Sequence, residues 1–524
     1  MLRVLLCFLA ALVLTAPARA LTAAEARSLA AGDVESRVAA LNAVLTHADE
    51  KTVALIQAMA DDAVKITDSA VFVIKDGKGF DPVSGAERPV PEAAEDIVNN
   101  NQMRTELDAA LASIKLFSAD PKLRADAVKT LGSEPDEKKL PLIETAYAAE
   151  AVPAIKAALG AVRSAMLLGS ADKGKRLDAA KALGLSGTPA TKTLLLDRQK
   201  VETEADVKAA IDIALDQIEG RLAWGERLGV IFTGISLGSI LLLVALGLAI
   251  TYGLMGVINM AHGELMMIGA YATYVIQNLF KSYAPGAFDY YVWLAIPASF
   301  LAAALVGAAL ERSVIRWLYG RPLETLLATW GISLVLQQGV RSLFGAQNVP
   351  VENPAWLSGG VDVMSNLTLP FNRLAIIAFA VLVLAGVSAL IARTRLGLFV
   401  RGVTQNRRMA SCMGVNTARI DTYAFALGSG IAGLAGCALS QVGNVGPDLG
   451  QGYIVDSFMV VVLGGVGQLA GTVYAALGLG ILNKLLEGWQ GAVLAKIMVL
   501  VFIVIFIQKR PQGIFAMKGR SAEA

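Results

Sequence analysis

A chain of 524 residues that is 55% apolar and only 17% charged is too oily for an ordinary soluble fold. Its 46 basic and 44 acidic residues leave a net charge of +2, an average over two unlike halves that gives no reason to expect a nucleic-acid partner. Three cysteines (Cys7, Cys412, Cys437) are too few for a disulfide framework, and two histidines (His47, His262) are too few for a histidine-rich metal site. No catalytic or metal-ligating set is expected.

Residues 1–20, MLRVLLCFLAALVLTAPARA, carry Arg3, a short apolar core and the small-x-small ending Ala18-Arg19-Ala20. They read as a secretory signal peptide, because the core is shorter than the roughly 20 residues a membrane span needs. An uncut anchor is the alternative, and it would export the next segment equally. Residues 21–220 are therefore expected as a periplasmic α-helical domain. Arg124, Asp126, Lys129, Leu131 and Gly132 recur as Arg176, Asp178, Lys181, Leu183 and Gly184, an offset of 52 residues. Each copy has apolar residues at helical spacing and a glycine near the helix end, which suggests stacked HEAT-like helix pairs; a plain helical bundle is the simpler alternative. Val71-Phe-Val-Ile-Lys-Asp-Gly-Lys-Gly-Phe80 predicts a hairpin. Gly169-Ser-Ala-Asp-Lys-Gly-Lys175 fits the spacing of a phosphate loop, but Arg176 stands where Ser or Thr must reach the metal, and no strand precedes it. Residues 221–227 read as a linker.

From 228 to 510 the chain is a multi-pass membrane domain, with apolar blocks at 228–280, 291–310, 325–344, 374–392, 422–443, 457–486 and 492–508. Loop 393–420 (Arg393, Arg395, Arg401, Arg407, Arg408, Arg419), loop 311–322 (Arg312, Arg316, Arg321) and the tail 511–524 are placed in the cytoplasm by their positive charge. The acid-balanced loops 281–290 and 345–373 are placed outside. An exported front and an internal tail demand an odd number of crossings. Blocks 228–280 and 457–486 must each go in and return, which makes about nine crossings across a bacterial inner membrane.

Both returning blocks are interrupted by glycine: Gly253, Gly256 and Gly263 in one, and Gly464, Gly465, Gly467 and Gly471 with Gln468 in the other. Glycine-broken segments at corresponding places in two halves point to a transport path at a repeat interface, of inverted-repeat character. The small residues of Gly428-Ser-Gly-Ile-Ala-Gly-Leu-Ala-Gly436 suit close helix packing. Asn259, His262 and Glu264 flank the first break. They either tie down its freed backbone or line the path, since an ionised glutamate facing lipid is expensive.

The stretch Gly256, Asn259, Ala261, His262, Gly263, Glu264, Met267, Gly269, Ala270 and Tyr271 resembles the G-x-x-N-x-A-H-G-E-x-x-M-x-G-A-Y pattern of branched-chain amino acid ABC importer permeases. Thr394-Arg-Leu-Gly397, Gln405-Asn-Arg407 and Gly414-Val-Asn416 look like that family's cytoplasmic loop, and Val462-Leu-Gly-Gly-Val-Gly467 like its glycine-rich segment. Within the family, the exported front domain, Asn406-Arg-Arg-Met-Ala410 and Arg510-Pro-Gln-Gly-Ile-Phe-Ala516 look most like the first permease subunit of urea importers.

The resemblance implies an all-α polytopic permease that works with a second, usually non-identical permease, two cytoplasmic ATPases and a periplasmic binding protein. ATP and magnesium would be used by the ATPases, with no cofactor bound by this chain. Membrane lipid is its other partner. Arg401, Asn406, Arg407, Arg408, Ala410, Gly414 and Asn416 would form the loop that docks the ATPase, although Arg408 and Met409 depart from the usual E-A-A-x-x-x-G pattern. The bland reading is that these arginines only set topology. A path for urea, small and neutral, would use amide side chains: Asn259, Gln337, Gln338, Gln441, Asn444 and Gln468. An amino acid would more naturally need charge or helix-end dipoles. The competing classes are a secondary transporter driven by an ion gradient and an intramembrane enzyme using His262 and Glu264.

Overall fold

The computed structural model describes residues 21–45, 49–67, 70–75, 77–91, 94–133, 139–256, 258–510 and 513–515. The signal-peptide reading of 1–20 lies outside them, as do His47 and most of the tail. The chain divides into two compact units, one ending at Leu222 and one beginning at Ala223.

The front unit opens with three helices, α1 (Ala23–Ala30), α2 (Val34–Leu45) and α3 (Glu50–Ala60). It then carries more strand than the one expected hairpin. Five short antiparallel strands follow: β1 (Val64–Ile66), β2 (Val71–Lys75), β3 (Lys78–Phe80), β4 (Glu87–Arg88) and β5 (Glu95–Asp96), in the order β4-β3-β2-β1-β5. The hairpin read at 71–80 is β2–β3, with Val73 opposite Phe80. β-Branched residues at Val64, Ile66, Val71 and Val73 favour this pleated layer, and Val64, Val71 and Val73 bury into the same core as α1–α3.

Six helices come next: α4 (Asn101–Lys115), α5 (Pro121–Ser133), α6 (Leu140–Ala149), α7 (Pro153–Leu167), α8 (Lys173–Ser186) and α9 (Pro189–Val201). The repeat at an offset of 52 extends to contacts that the sequence match did not include. Arg124 donates to both carboxylate oxygens of Glu150 (2.8 and 3.0 Å) and to the carbonyls of Ser118 and Ala119. Arg176 does the same to Glu202 (2.9 and 3.1 Å) and to Ser170 and Ala171. Each arginine thus ties the loop before its own helix to the end of the next. Hydrogen bonds from Arg124 and from the Val152 amide bring the Glu150 carboxyl down to about 2. Burial pushes Glu202 up, but hydrogen bonds from Arg176, Arg198 and the Glu204 amide outweigh it and hold that carboxyl at about 2 as well.

The expected linker 221–227 contains the boundary between the two units and is helical. It lies inside α10 (Ala205–Met255), a 51-residue helix. The stretch Leu222-Ala-Trp-Gly-Glu-Arg-Leu228 has no proline and one glycine, so nothing in it breaks the i→i−4 ladder.

The rear unit continues with α11 (His262–Tyr283), α12 (Tyr291–Ser313), α13 (Pro322–Phe344), a small hairpin of β6 (Gly360–Met364) and β7 (Leu367–Pro370), α14 (Phe371–Arg393), α15 (Arg395–Gln405), α16 (Arg407–Cys412), α17 (Thr417–Ser440), α18 (Leu449–Gly464), α19 (Leu469–Gln490) and α20 (Ala492–Lys509). Among the described residues, six helices are long and apolar enough to cross a membrane: Ala205–Gly253, Pro285–Ser313, Phe371–Arg393, Thr417–Ser440, Leu469–Gln490 and Ala492–Lys509. The expected count of about nine adds α11, α13 and α18 to these. α18 is apolar but shorter. α11 and α13 have 22 and 23 residues but carry the polar groups described below.

α17 is the hub. Gly428 through Gly436 are all buried, and a Cβ at Gly433 would sit 2.4 Å from the Ser299 carbonyl oxygen of α12. At Gly436 it would sit 2.0 Å from the Met266 carbonyl oxygen of α11. Backbones this close exclude any side chain, which is what a glycine-rich packing face provides. The loops expected on one side also share an end of the unit. The Ala355 amide and the Trp356 indole donate to Asp289 (both 2.8 Å), joining loop 345–373 to loop 281–290.

Candidate functional site

α10 stops at Met255, and Gly256 takes a left-handed φ of +64°. The chain resumes as helix at His262. Between them, freed amides find local acceptors. Ala261 N–H donates to Asn259 Oδ1 (3.0 Å), and Met260 N–H donates to Thr329 Oγ1 on α13 (3.2 Å). Asn259 is therefore a fastener of the break, and its buried Nδ2 has no partner.

His262 and Glu264 point to different neighbours. The His262 Nε2 lies 3.1 Å from the Val244 carbonyl of α10. A carbonyl only accepts, so Nε2 carries the proton and Nδ1 is a bare, unpartnered acceptor. The ring lies against Gly247, where a Cβ would come within 3.0 Å of it and 2.4 Å of the Gly428 carbonyl oxygen. His262 is thus a strut between α11 and α10 at the point where α10 crosses α17. Glu264, 1% exposed, turns the other way. Its Oε1 accepts from Ser333 Oγ (2.9 Å) and Gln337 Nε2 (2.8 Å) of α13, and its Oε2 is buried without a partner. The two side chains do not form an acid–base dyad.

α13 supplies the other wall. Thr325, Thr329, Ser333 and Gln337 recur every four residues and are all buried, while Leu327, Trp330, Leu334 and Val335 of the same helix are exposed. Thr329 and Ser333 were missed by sequence reasoning, although the T-x3-T-x3-S-x3-Q-x3-R spacing ending at Arg341 was there to be read. Gln338, one position on, is turned out to an exposed face, so it is not brought to Glu264. Gln441 is buried but belongs to the far end of α17, where its Nε2 donates to Tyr291 Oη (3.1 Å). Asn444 is exposed and takes no part.

The second break joins the first through backbone. α18 ends at Gly464, and Gly465 and Gly467 hold left-handed φ values of +96° and +78° before α19 begins after Gln468. A Cβ on Gly253 would lie 2.9 Å from the Gly467 Cα. The first turns of α11 and α18 also touch, since a Cβ on Gly263 would lie 2.5 Å from the Gly450 carbonyl oxygen. Two helix N-termini, each with positive dipole character, thus meet beside Glu264.

The expected ATPase-docking loop is mostly helical. Asn406 caps α16 by accepting from Met409 N–H (2.9 Å), and Asn416 caps α17 by accepting from Arg419 N–H (3.1 Å). Gly414 takes a φ of +84° between them. Arg401 (its Nε on the Gly397 carbonyl of its own helix), Arg408 and Met409 are exposed, while Ala410 is half-buried. Arg407 bends inward to Asp421 instead of standing free.

The family described as branched-chain amino acid transport system / permease component matches residues 230–507. The high-affinity branched-chain amino acid transport system permease protein LivH of Escherichia coli K12 is 29% identical over 295 residues, covering 54% of this chain and 93% of that protein. BraD of Pseudomonas aeruginosa, with the same description, is 27% identical over 285 residues, with the same coverage. Ribose import permease protein RbsC of Escherichia coli K12 is 33% identical over 98 residues, 17% of this chain and 30% of that protein. No solved structure matches.

Proposed function

Because the chain belongs to the family of branched-chain amino acid transport system permease components, we propose that it is the membrane-spanning subunit through which an ATP-driven importer passes a small polar solute into the cytoplasm. A second permease would complete the path, two cytoplasmic ATPases would drive it with ATP and magnesium, and a periplasmic binding protein would deliver solute. The observation that carries this reading is Glu264: a buried carboxylate with one free oxygen, set between the polar face of α13 and two helix N-termini. Such an arrangement is costly unless something polar passes or rests there. Broken helices serve ion-driven transporters equally, so uptake into vesicles that persists without ATP or ATPases would sink this reading.

An α-amino acid suits the site in both halves. Its carboxylate is favoured by the two helix N-termini, and its ammonium by the free oxygen of Glu264. The relatives named for branched-chain amino acid transport support the same solute. Urea is the second reading, favoured by Ser333 and Gln337, the neutral partners of Glu264. The test is a solute panel on the full complex in proteoliposomes, comparing branched-chain amino acids, short amides and urea. Saturable uptake of urea with none of leucine would discard the amino acid reading. The front unit lies outside the family match, and we assign it to the periplasmic side, where its stacked HEAT-like repeats would meet the binding protein. Deleting 21–220 and finding unchanged uptake would remove that role.

A further inference from the structure

At the arginine-rich end of the rear unit two carboxylates are buried. The side chains of Glu311, near the end of α12, and Asp421, in the first turns of α17, are 0% and 1% exposed. Arg407, the first residue of α16, donates through both terminal nitrogens to the two oxygens of Asp421. Its guanidinium also lies over the Tyr319 ring, 5.2 Å from the centroid. Tyr319 Oη donates to Glu311 Oε1 (3.0 Å), Thr422 Oγ1 donates to Glu311 Oε2 (2.6 Å), and Arg316 reaches the same oxygen at 3.7 Å. An unbroken chain of polar contacts therefore runs from α16 through α17 to the end of α12.

We propose that the Arg407–Asp421 pair is the joint that carries movement of the exposed 406–416 surface into α17 and α12, with Tyr319 and Glu311 as its inner half. This rests on the reading of that surface as the ATPase dock. Arg407 is then a positioning residue. It touches neither solute nor nucleotide, and it acts through Asp421. What α17 receives it passes on by packing, since Gly428 lies against Gly247 and Thr251 of α10, and Gly433 and Gly436 lie against the backbones of α12 and α11. Backbones in contact do not slide freely, so a shift of α17 moves the broken segment with it. Lysine cannot replace Arg407, because it lacks the planar fork for two oxygens and the face that stacks on tyrosine.

The test uses the full importer in proteoliposomes, with two readouts: solute imported per ATP hydrolysed, and ATPase retained on the affinity-purified membrane chain. Arg407→Lys and Asp421→Asn are expected to lower the first by about tenfold or more, the scale of a lost coupling of this kind, with the second kept. The swapped pair, Arg407→Asp with Asp421→Arg, is expected to recover part of the loss. Arg407→Lys keeps a cation beside Asp421, so its result stands even if Asp421→Asn fails to fold. A native ratio in Arg407→Lys overturns the joint. So does loss of ATPase retention with an unchanged ratio per bound ATPase, which would make Arg407 a docking contact. If the unsubstituted chain retains no ATPase, the proposed function fails and the joint falls with it.

Discussion

Glu202 in the front unit and Glu264 in the rear unit are both buried, and they are treated in opposite ways. Glu202 accepts from Arg176, Arg198, Thr203 N–H and Glu204 N–H, so both of its oxygens are engaged and two cations balance it. Glu264 has neutral donors on one oxygen and none on the other. The first pattern is that of a staple, repeated 52 residues apart. The second leaves bonding capacity that the protein itself does not use, which suits a group that meets a passing solute.

Substitutions separate the two uses. Glu264→Ala is expected to give the largest effect, a fall in solute flux of about tenfold to a hundredfold, the worth of one charged hydrogen bond, with the chain still inserted and assembled. Uptake at the native rate would return Glu264 to the structural class. Gly263→Val should follow, because its side chain would press on the Gly450 backbone. The expected result is about 1–3 kcal/mol of destabilisation, read as a lower melting point in detergent, together with reduced flux. Arg176→Ala should loosen the front unit by roughly 2–3 kcal/mol, between the limits for exposed and buried pairs, and leave solute specificity alone. Faster hydrogen exchange confined to α8 and α9 would check it.

Acid should act on the staples. Glu150 and Glu202 sit at about 2 when folded against 4.5 otherwise, so the stability they add is fully present above 4.5. It drains away as pH falls through 2. A front unit whose melting point is flat between pH 5 and about 2.5 would contradict this. The smallest effect is predicted for Gln338→Ala, since that side chain is exposed. Gln337→Ala, one residue away, should weaken flux by about threefold to tenfold, the worth of a typical hydrogen bond. Equal effects from the two would break the assignment of α13's polar face.

Much of the rear unit was legible because its signals are local. Apolar runs, glycine interruptions and arginine-rich loops are read from neighbouring residues, and the breaks at 256–261 and 465–468 fall within the stretches that glycine marked. The front unit was less legible. Only one hairpin of its five-stranded sheet was expected, because strands of two or three residues carry almost no periodicity. The helical state of the linker 221–227 was not legible for the opposite reason: a change of composition there is not a change of backbone conformation.

The amino-acid sequence by itself determined that the rear half is rich in long apolar runs, where its helices break, and that Arg124 and Arg176 are copies of one another. Each of these depends on composition or spacing within a short window. Only the tertiary structure decided the partners: Ser333 and Gln337 for Glu264, Val244 for His262, Asp421 for Arg407, and Gly450 for Gly263. All of these pairs join residues of different helices, and Arg407 meets Asp421 only because the turn at Gly414 folds α16 back toward the start of α17. Which side chains meet is set by helix crossing and rotation, quantities that no local pattern encodes.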